Sequence, residues 1–460
     1  MATASTVFER ASELPVPAET LYDWHTRPGA LERLLQPWGR IAIVRRAGGV
    51  QNGTDVELRV RCGPASVTWI ARHRDVVPGR QFVDEQVRGP FVAWVHTHRM
   101  ESRGPDRSLL VDHIEYTPPL GAAGAAIAGG TIRSRLRRTF AYRHALTRDD
   151  LASHARHVGP ALAVAVSGAS GLIGSALGAF LTTGGHRVTR LVRGTPLPGD
   201  VRWDPATGLI DAAALEGHDA VVHLAGENLA AGRWTRARKE RVRMSRVNGT
   251  RLLAESLARL ARPPQVLVSA SAIGYYGDRG DEILTEASAS GDDFLAAVGR
   301  EWEEATEPAR RAGIRVVRLR LGVVLTPAGG ALGKMLLPFS LGVAGRLGSG
   351  RQWMSWISHD DAIGAIHHAI ITPTLEGPVN GVGPQPVTNA EFTDTLGRVL
   401  CRPAIIPIPA TALRLLLGEM ADATLLASTR VVPARLLGTG YSFRHPTLER
   451  TLRFGLGREE

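Results

Sequence analysis

Residues 161–174 read ALAVAVSGASGLIG. The apolar run 161–166 is typical of a strand buried on both faces of a parallel sheet, and 175–183 of a helix. Gly168 would permit a tight turn, Gly171 a close approach of the backbone to a pyrophosphate, and Gly174 close packing of helix on strand. The free amides that open such a helix suit phosphate groups. The stretch therefore predicts a dinucleotide-binding turn with contacts at Gly168, Ser170, Gly171, Leu172, Ile173 and Gly174.

The residue that ends the second predicted strand bears on the choice of cofactor. That strand covers 187–192 and is followed by Arg193, with Arg190 nearby and no acidic residue at the strand end. In dinucleotide-binding folds an acid about 20 residues after the glycine turn holds the ribose 2′-hydroxyl, whereas an arginine accommodates a 2′-phosphate. Arg193 therefore favours NADP over NAD, although it could also be a solvated surface arginine.

Strand and helix patterns then alternate along the chain. Strands are predicted at 220–224, 265–269 and 315–319, and helices at 239–260 and 301–312. Repeated βαβ units give a doubly wound, Rossmann-type parallel sheet of the α/β class, whose ligands gather at the carboxyl ends of the strands. These ends add four expected cofactor contacts, Leu224, Ala225, Gly226 and Ser269.

Several further motifs follow in order. They are Trp203 to Gly208, Leu224 to Leu229 with Gly232-Arg233-Trp234, Ser245 to Thr250, Ser269 to Gly277, Arg320 to Leu325, Gly350 to Ile357, Gly377 to Asn380, Asn389 to Phe392 and Gly440 to Phe443. Over residues 162–460 the chain resembles the epimerase family, an atypical branch of the short-chain dehydrogenase/reductase superfamily. The resemblance implies an NAD(P)-binding Rossmann domain at 159–375 and a small C-terminal α/β subdomain on the substrate side at 376–460.

The catalytic residues depart from the pattern of that superfamily. Its extended members use a Ser or Thr that bonds the substrate oxygen, and a Tyr-x-x-x-Lys pair in which Tyr shuttles a proton. Ser271 matches the serine. Neither possible alignment of the pair, Phe294 with Val298 or Leu295 with Gly299, supplies Tyr and Lys, and the chain has two lysines, Lys239 and Lys334. In the atypical branch the serine tends to remain while the pair is lost.

Three residues are candidates for the missing acid or base. Tyr276, or Tyr275 beside it, follows Ser271 on one loop; Glu227 follows the predicted strand at 220–224. Arg246 stands where extended relatives carry a helix Asn and could polarise a carbonyl. Each could equally serve packing or capping. His359-Asp360-Asp361, by contrast, is predicted to be a helix N-cap cluster rather than a catalytic dyad.

Residues 1–158 have a different organisation. A strand at 7–14 and two short helices precede six strand-like runs with Gly or Pro at most joints, and a long helix is predicted at 131–157. This α+β order resembles the helix-grip fold of the polyketide-cyclase and START-like (SRPBCC) superfamily, carried by Pro17 to Trp24, Phe91 to His98 and Asp112 to Gly121. The resemblance implies an apolar cavity and a lipophilic ligand; a filled cavity with a docking role is the alternative. His96, His98 and His113 alternate along strands, for which we expect ordinary placement on the sheet and no metal.

Composition narrows the class of protein. The 460 residues are 44% hydrophobic and 22% charged, as in globular proteins. The two cysteines exclude a disulfide scaffold and a multi-cysteine metal site, and no apolar run approaches the ~20 residues of a membrane span. The net charge of +11 comes almost wholly from arginine, interleaved with acids, and the cluster Arg133, Arg135, Arg137 and Arg138 is predicted to be a solvated helix face. We therefore expect no nucleic-acid partner and, without a visible secretory signal, a soluble cytoplasmic protein.

The sequence predicts a two-module protein. An NADP(H)-dependent oxidoreductase, or a nucleotide-sugar-epimerase-like domain, would act on an unknown small or lipophilic carbonyl or alcohol, with Ser271 orienting the reacting oxygen. The alternatives are a non-catalytic NADP(H) sensor or scaffold that has lost the Tyr-Lys pair, and a ligand carrier in which the nucleotide is structural. The sequence does not decide whether the protein forms a homo-oligomer.

Overall fold

The computed structural model describes residues 5–46, 48–62, 65–230 and 232–459. They divide into two compact units. The first runs to Gly159 and takes in Ala179–Gly185 and the chain from Leu456 onward; the second contains Pro160–Gly178 and His186–Gly455.

The first unit is a curved antiparallel sheet with a long helix. In the described part of the chain the sheet has seven strands in the order β1-β7-β6-β5-β4-β3-β2. Its elements are β1 (Thr6–Leu14), α1 (Ala18–Thr26), α2 (Ala30–Leu34), β2 (Ile41–Arg46), β3 (Asp55–Cys62), β4 (Ala65–Val77), β5 (Gln81–Arg88), β6 (Ala93–Ser102), β7 (Ser108–Thr117) and α3 (Gly121–His154). This order confirms the predicted helix-grip architecture. The closing helix begins ten residues before the predicted start, because the Gly- and Ala-rich stretch after Pro119 is helical too.

Apolar residues from the sheet and from α3 form the interior of this unit. Phe8, Ile114 and Tyr116 of the sheet pack against Leu136 and Phe140 of α3. Along β6 the buried positions alternate, as a strand with one face against a core requires. Two of those buried positions are histidines, which places polar side chains inside the unit.

The second unit is a parallel α/β sheet with additional C-terminal elements. Its strands and helices are β8 (Ala163–Ser167), α4 (Leu172–Thr183), β9 (Arg187–Val192), β10 (Val201–Asp204), β11 (Leu209–Ile210), β12 (Ala220–His223), α5 (Arg236–Ala258), β13 (Val266–Ala272), β14 (Ile283–Leu284), α6 (Phe294–Glu304), α7 (Glu307–Arg311), β15 (Arg315–Leu321), β16 (Val323–Leu325), α8 (Gly330–Ser340), β17 (Trp353–Met354), β18 (Trp356–Ser358), α9 (His359–Ile371), β19 (Gly377–Gly381), β20 (Val387–Thr388), α10 (Asn389–Leu400), α11 (Ala410–Leu417), β21 (Arg430–Val431), α12 (Ala434–Gly438) and α13 (Leu448–Gly455).

The main sheet has the strand order β11-β10-β9-β8-β12-β13-β15-β19. All of its neighbouring strands are parallel except the β10–β11 hairpin. The predicted doubly wound, Rossmann-type sheet is therefore confirmed. The order reverses between β8 and β12, and ligands of such sheets bind at that switch point.

Two details differ from the sequence-based expectations. The edge strand β19 pairs with β15, so the sheet extends beyond the predicted domain limit at residue 375. The helix predicted at 239–260 runs from Arg236 to Ala258, with the side chain of Thr235 as its N-cap. Within the residues that the structure describes, no helix combines the length and apolar character needed to cross a membrane.

Candidate functional site

The glycine turn joins β8 to α4 at the switch point. Gly168 has a φ of +68°, and a Cβ there would lie 2.9 Å from the backbone of Leu224 and Ala225. A Cβ on Gly174 would lie 2.2 Å from the carbonyl oxygen of Gly168. Glycine is thus required for backbone conformation at the first position and for close packing of the helix at the second. A Cβ on Gly171, which is exposed, would meet the same carbonyl oxygen at 3.1 Å.

A buried polar pair fixes the two strands that flank this turn. Ser167 Oγ lies 2.6 Å from His223 Nδ1, and the Leu224 amide donates to the Ser167 carbonyl and hydroxyl. Burial lowers the pKa of His223 to about 4, so the ring is neutral at neutral pH. These bonds hold the loop after β12, with Leu224, Ala225 and Gly226, beside the glycine turn.

The predicted cofactor contacts occupy the start of α4 and the adjoining strand ends. Ser170 and Gly171 are exposed, Leu172 and Ile173 are half-buried, and the first amides of the helix have no acceptor within it. Ser269 differs, because it is 1% exposed and its hydroxyl donates to the carbonyl of Ala270. A cofactor contact at Ser269 therefore stays a prediction that its side chain does not support.

The two arginines near the end of β9 have different surroundings. Arg190 donates two hydrogen bonds of 2.8 Å to Asp200 and is thereby neutralised. Arg193 is exposed and has no ion pair within the described ranges. Of these two arginines, Arg193 is therefore the one whose guanidinium is available to a phosphate group.

Ser271 lies at the end of β13 in a buried, charged network. Its hydroxyl donates to Glu303 Oε1 at 2.8 Å, and Arg320 donates to both oxygens of Glu303 at 2.6 and 2.8 Å. Burial opposes the charge on Arg320, but its hydrogen bonds to Glu303 outweigh that cost and raise its pKa. Ser271 is 3% exposed, so the network holds the serine hydroxyl in one orientation.

Tyr276 extends the same network instead of facing solvent. Its hydroxyl donates to Asn380 Oδ1 at 2.7 Å and accepts from Arg320 at 2.9 Å. The side chain is fully buried, and burial raises its pKa despite the neighbouring guanidinium. The expectation that Tyr276 acts as a proton donor stays a prediction, since in this arrangement it positions Arg320. Tyr275 is half-buried and stacks on the same guanidinium, which lies 3.5 Å from its ring centroid.

Arg246 and Glu227 come together at the loop after β12. Arg246 Nη1 donates to the carbonyls of Glu227 and Val242, and its guanidinium lies 5.0 Å from the ring centroid of Trp302. Burial lowers the pKa of Arg246 to about 10, so it remains a cation at neutral pH. Arg246 therefore anchors the loop, whereas the half-buried carboxylate of Glu227 has no hydrogen bond to any described residue. Their catalytic roles stay predictions.

The segment where a Tyr-Lys pair would stand is apolar. Phe294 opens α6 and packs on Trp234, while Val298 is 4% exposed. Lys239, from α5, lies 4.4 Å from the Phe294 ring centroid but is paired with Glu419 at 2.7 Å. The structure thus offers no replacement pair at this position within its described residues.

Sequence reasoning missed three members of the Ser271 network, Glu303, Arg320 and Asn380. Arg320 and Asn380 belong to motifs quoted above, but their position on strands gave no sign of chemistry. Glu303 lies in α6 between Glu301 and Glu304, so the sequence does not distinguish it from its acidic neighbours. Its low exposure of 6% in the folded protein does.

The first unit contains a cavity of about 280 Å³ between sheet and helices. Its lining is largely apolar and includes Trp69, Phe82, Trp94 and Phe140. One part of the wall is polar and carries four histidines and Asp84. This volume lies just below the range of about 300–1,000 Å³ that is typical of small-molecule sites.

Together, the sheet order and the glycine turn define a dinucleotide-binding protein of the short-chain dehydrogenase type. Comparison with family models agrees. The NAD dependent epimerase/dehydratase family matches residues 164–380, the polyketide cyclase/dehydrase and lipid transport family matches 14–143, and a domain of unknown function, DUF1731, matches 408–454.

Curated relatives match the second unit over nearly their whole length. An epimerase family protein of Mycobacterium tuberculosis is 46% identical over 296 residues, covering 64% of this chain and 98% of the relative. The human epimerase family protein SDR39U1 is 40% identical over 295 residues, covering 63% and 98%. The chain therefore belongs to the epimerase family.

Solved structures resemble both the whole chain and its second unit. A nucleoside-diphosphate sugar epimerase from Corynebacterium glutamicum is 36% identical, covers 98% of this chain and 91% of its own, and has a TM-score of 0.81. Human SDR39U1 isoform 2, solved with NADPH, is 38% identical, covers 64% and 99%, and has a TM-score of 0.60.

Proposed function

We propose that the second unit binds NADP(H) and catalyses hydride transfer to or from a small or lipophilic carbonyl or alcohol. The observation that carries the cofactor assignment is the pairing of the glycine turn with Arg193, which is exposed and free of an ion pair within the described ranges. NADPH in the human relative supports the same choice. The backbone amides of Leu172 and Ile173 would bind the pyrophosphate of the cofactor, and the Arg193 side chain would bind its 2′-phosphate.

A bound nicotinamide would supply the hydride chemistry, and the chain itself must move the proton. Ser271 already directs its own hydrogen to Glu303 at 2.8 Å. Its remaining lone pairs can therefore accept the proton of a substrate hydroxyl while its own proton passes to Glu303. In the opposite direction the same two groups return a proton to the oxygen of a carbonyl as it is reduced. Arg320 holds Glu303 in place for either direction.

The proposal for the first unit is a lipophilic ligand in the cavity. The apolar lining and the match to the polyketide cyclase and lipid transport family support it. A fluorescent apolar probe should bind the full chain, and Trp94→Asp should weaken that binding. The exposed Val92, replaced in Val92→Asp, provides a matched control.

The cofactor is tested by fluorescence titration of the full chain with NADPH and NADH. We expect NADPH to bind more tightly, Arg193→Glu to weaken NADPH at least about tenfold while leaving NADH unchanged, and Gly171→Asp to weaken both. Arg259→Glu, at an arginine whose side chain is 79% exposed, is the control. Equal affinities for the two nucleotides in the unmodified chain, or no binding of either, would contradict the assignment.

A second function, a non-catalytic NADP(H) sensor, is favoured by the burial of Ser271 and by the apolar Phe294 and Val298. The two functions are distinguished by incubating the protein with a panel of aldehydes, ketones and alcohols and monitoring the consumption or formation of NADPH by its absorbance. Turnover that Ser271→Ala and Glu303→Gln both abolish, with NADPH binding retained, identifies an enzyme. Binding without turnover on any member of the panel identifies the sensor.

A further inference from the structure

The polar wall of the cavity in the first unit includes four histidines and one aspartate from separate elements. His96 and His98 lie on β6 and Asp84 on the neighbouring β5. His96 and His98 are 4% and 5% exposed, whereas the Asp84 side chain is 26% exposed. His25 and His73 also line the cavity, whereas Asp112 and His144 do not line it; Asp112 joins the cluster through its contacts with His96 and His98, and His144 joins it through Asp112.

Asp84, His96 and His98 have the geometry of a ligand set. One ligand atom from each residue lies within 4.8 Å of the other two. His98 Nε2 is 3.3 Å from Asp84 Oδ2. This distance is long for a charge-assisted hydrogen bond, but it equals the edge of a tetrahedron whose centre is about 2.0–2.1 Å from each ligand.

Asp112 orients both histidine rings from behind. Its Oδ1 lies 2.8 Å from His96 Nε2 and 2.8 Å from His98 Nδ1, and its Oδ2 lies 2.7 Å from His144. The nitrogens left over for a ligand are therefore His96 Nδ1 and His98 Nε2. A carboxylate that accepts the second N–H of each ligating histidine is the usual outer shell of a metal site.

The charges of the cluster also favour a cation. Asp84 and Asp112 both approach His98, so two carboxylates share one ring in the interior of the unit. The guanidinium of Arg143, which lines the same cavity, and the His98 ring between the two aspartates offset part of this negative charge. A divalent ion would add to that compensation, since it offsets two negative charges where one imidazolium offsets one. His73, 2.6 Å from the other oxygen of Asp84, fixes that carboxylate.

We propose that Asp84, His96 and His98 bind a divalent first-row transition metal ion, with Zn²⁺ the best match to the ligand set. All three residues line the cavity, so the fourth coordination position faces the space that an apolar ligand would occupy. A water molecule, or a carbonyl or phenolate oxygen of that ligand, would fill it. This proposal departs from our expectation that the histidines of this sheet have ordinary places on its strands and bind no metal.

The metal itself is the first probe. The full chain without an affinity tag is stripped with chelator, checked by circular dichroism, and titrated with Zn²⁺ by calorimetry and with Co²⁺ by visible absorption. We expect one ion per chain and the intense absorption of four-coordinate Co²⁺, with no comparable binding of Mg²⁺. Failure of the unmodified chain to bind Zn²⁺ or Co²⁺ would overturn the proposal.

Variants then locate the ion. His96→Ala and Asp84→Asn should each weaken Zn²⁺ at least about 100-fold, and Asp112→Asn, which removes an outer-shell acceptor, by about 10- to 100-fold. His113→Ala is the matched control, because His113 lies on the adjacent strand but contacts Glu9 and Glu115 on the more exposed face. Binding that persists in His96→Ala but is lost in His113→Ala would place the ion at the surface and overturn the assignment. Should Asp112→Asn not fold, the other two variants decide.

Discussion

His223 shows how a single buried side chain ties two strands together at the switch point. Its ring is completely buried against Ser167, and burial lowers its pKa to about 4. The predicted apolar strand at 220–224 gave no indication of this role. The polar pair of Ser167 and His223 therefore fixes the distance between the glycine turn and the loop after β12.

The low pKa of His223 predicts a loss of stability in acid. The unfolded chain takes up this proton near pH 6.5 and the folded chain near pH 4, so stability is lost as the pH falls from 6.5 to 4. The contribution is about 3 kcal/mol at most. Denaturant unfolding of His223→Gln at several pH values should show a shallower decline than the unmodified chain. Parallel declines in the two proteins would contradict the prediction.

Glu303 and Arg320 form a buried ion pair in which each side chain compensates the charge of the other. Glu303→Leu alone should lower the unfolding free energy by about 3–5 kcal/mol, because it leaves the Arg320 charge uncompensated. Glu303→Leu combined with Arg320→Met should cost less than the single change. Calorimetric unfolding of the two variants checks this order, and a double variant less stable than the single one would refute it.

Helix α4 depends on glycine at one position and tolerates a side chain at another. Gly174 packs on the carbonyl of Gly168, whereas the nearest atom to a Cβ at Gly178 is 3.9 Å away. The spacing of the glycine turn predicts close packing at Gly174 and makes no prediction for Gly178. The contacts of the folded helix distinguish them.

Gly174→Ala should therefore displace α4 from the turn and weaken NADPH binding at least about tenfold. Gly178→Ala on the same helix should leave binding unchanged and stabilise the protein by up to about 1 kcal/mol, since alanine is the better helix former. Nucleotide titration and thermal unfolding of both variants provide the measurement. Similar behaviour of the two would show that packing on Gly168 is unimportant.

A buried carboxylate, that of Asp361, connects distant parts of the chain within the second unit. Asp361, in the first turn of α9, accepts hydrogen bonds from the Ser358 hydroxyl, the Arg444 and His445 amides and the Tyr441 hydroxyl. The side chain of Ser358 caps the helix, so the cap lies one residue before the cluster predicted at 359–361, and the two aspartates of that cluster occupy the first turn. The buried carboxylate thereby holds the C-terminal segment as well as its own helix.

Asp361→Asn should lower the unfolding free energy of the second unit by about 3 kcal/mol, because an amide presents hydrogen to groups that are themselves donors. Asp394→Asn, on the exposed face of α10, is the control and should have no measurable effect. Thermal unfolding of both variants is the test. An unchanged transition in Asp361→Asn would mean that the segment is held by other contacts.

Both folds could be predicted from the linear sequence, because strand and helix periods and glycine spacing are local properties. The same holds for the glycine turn and for Arg193 at the end of β9. The partners of Ser271 and the histidine cluster could not be predicted this way. Ser271 meets Glu303 across 32 residues, Tyr276 meets Asn380 across 104, and Asp112 meets His144 across 32. Which of these side chains touch depends on how helices and strands pack against one another, and packing is a property of the folded chain alone.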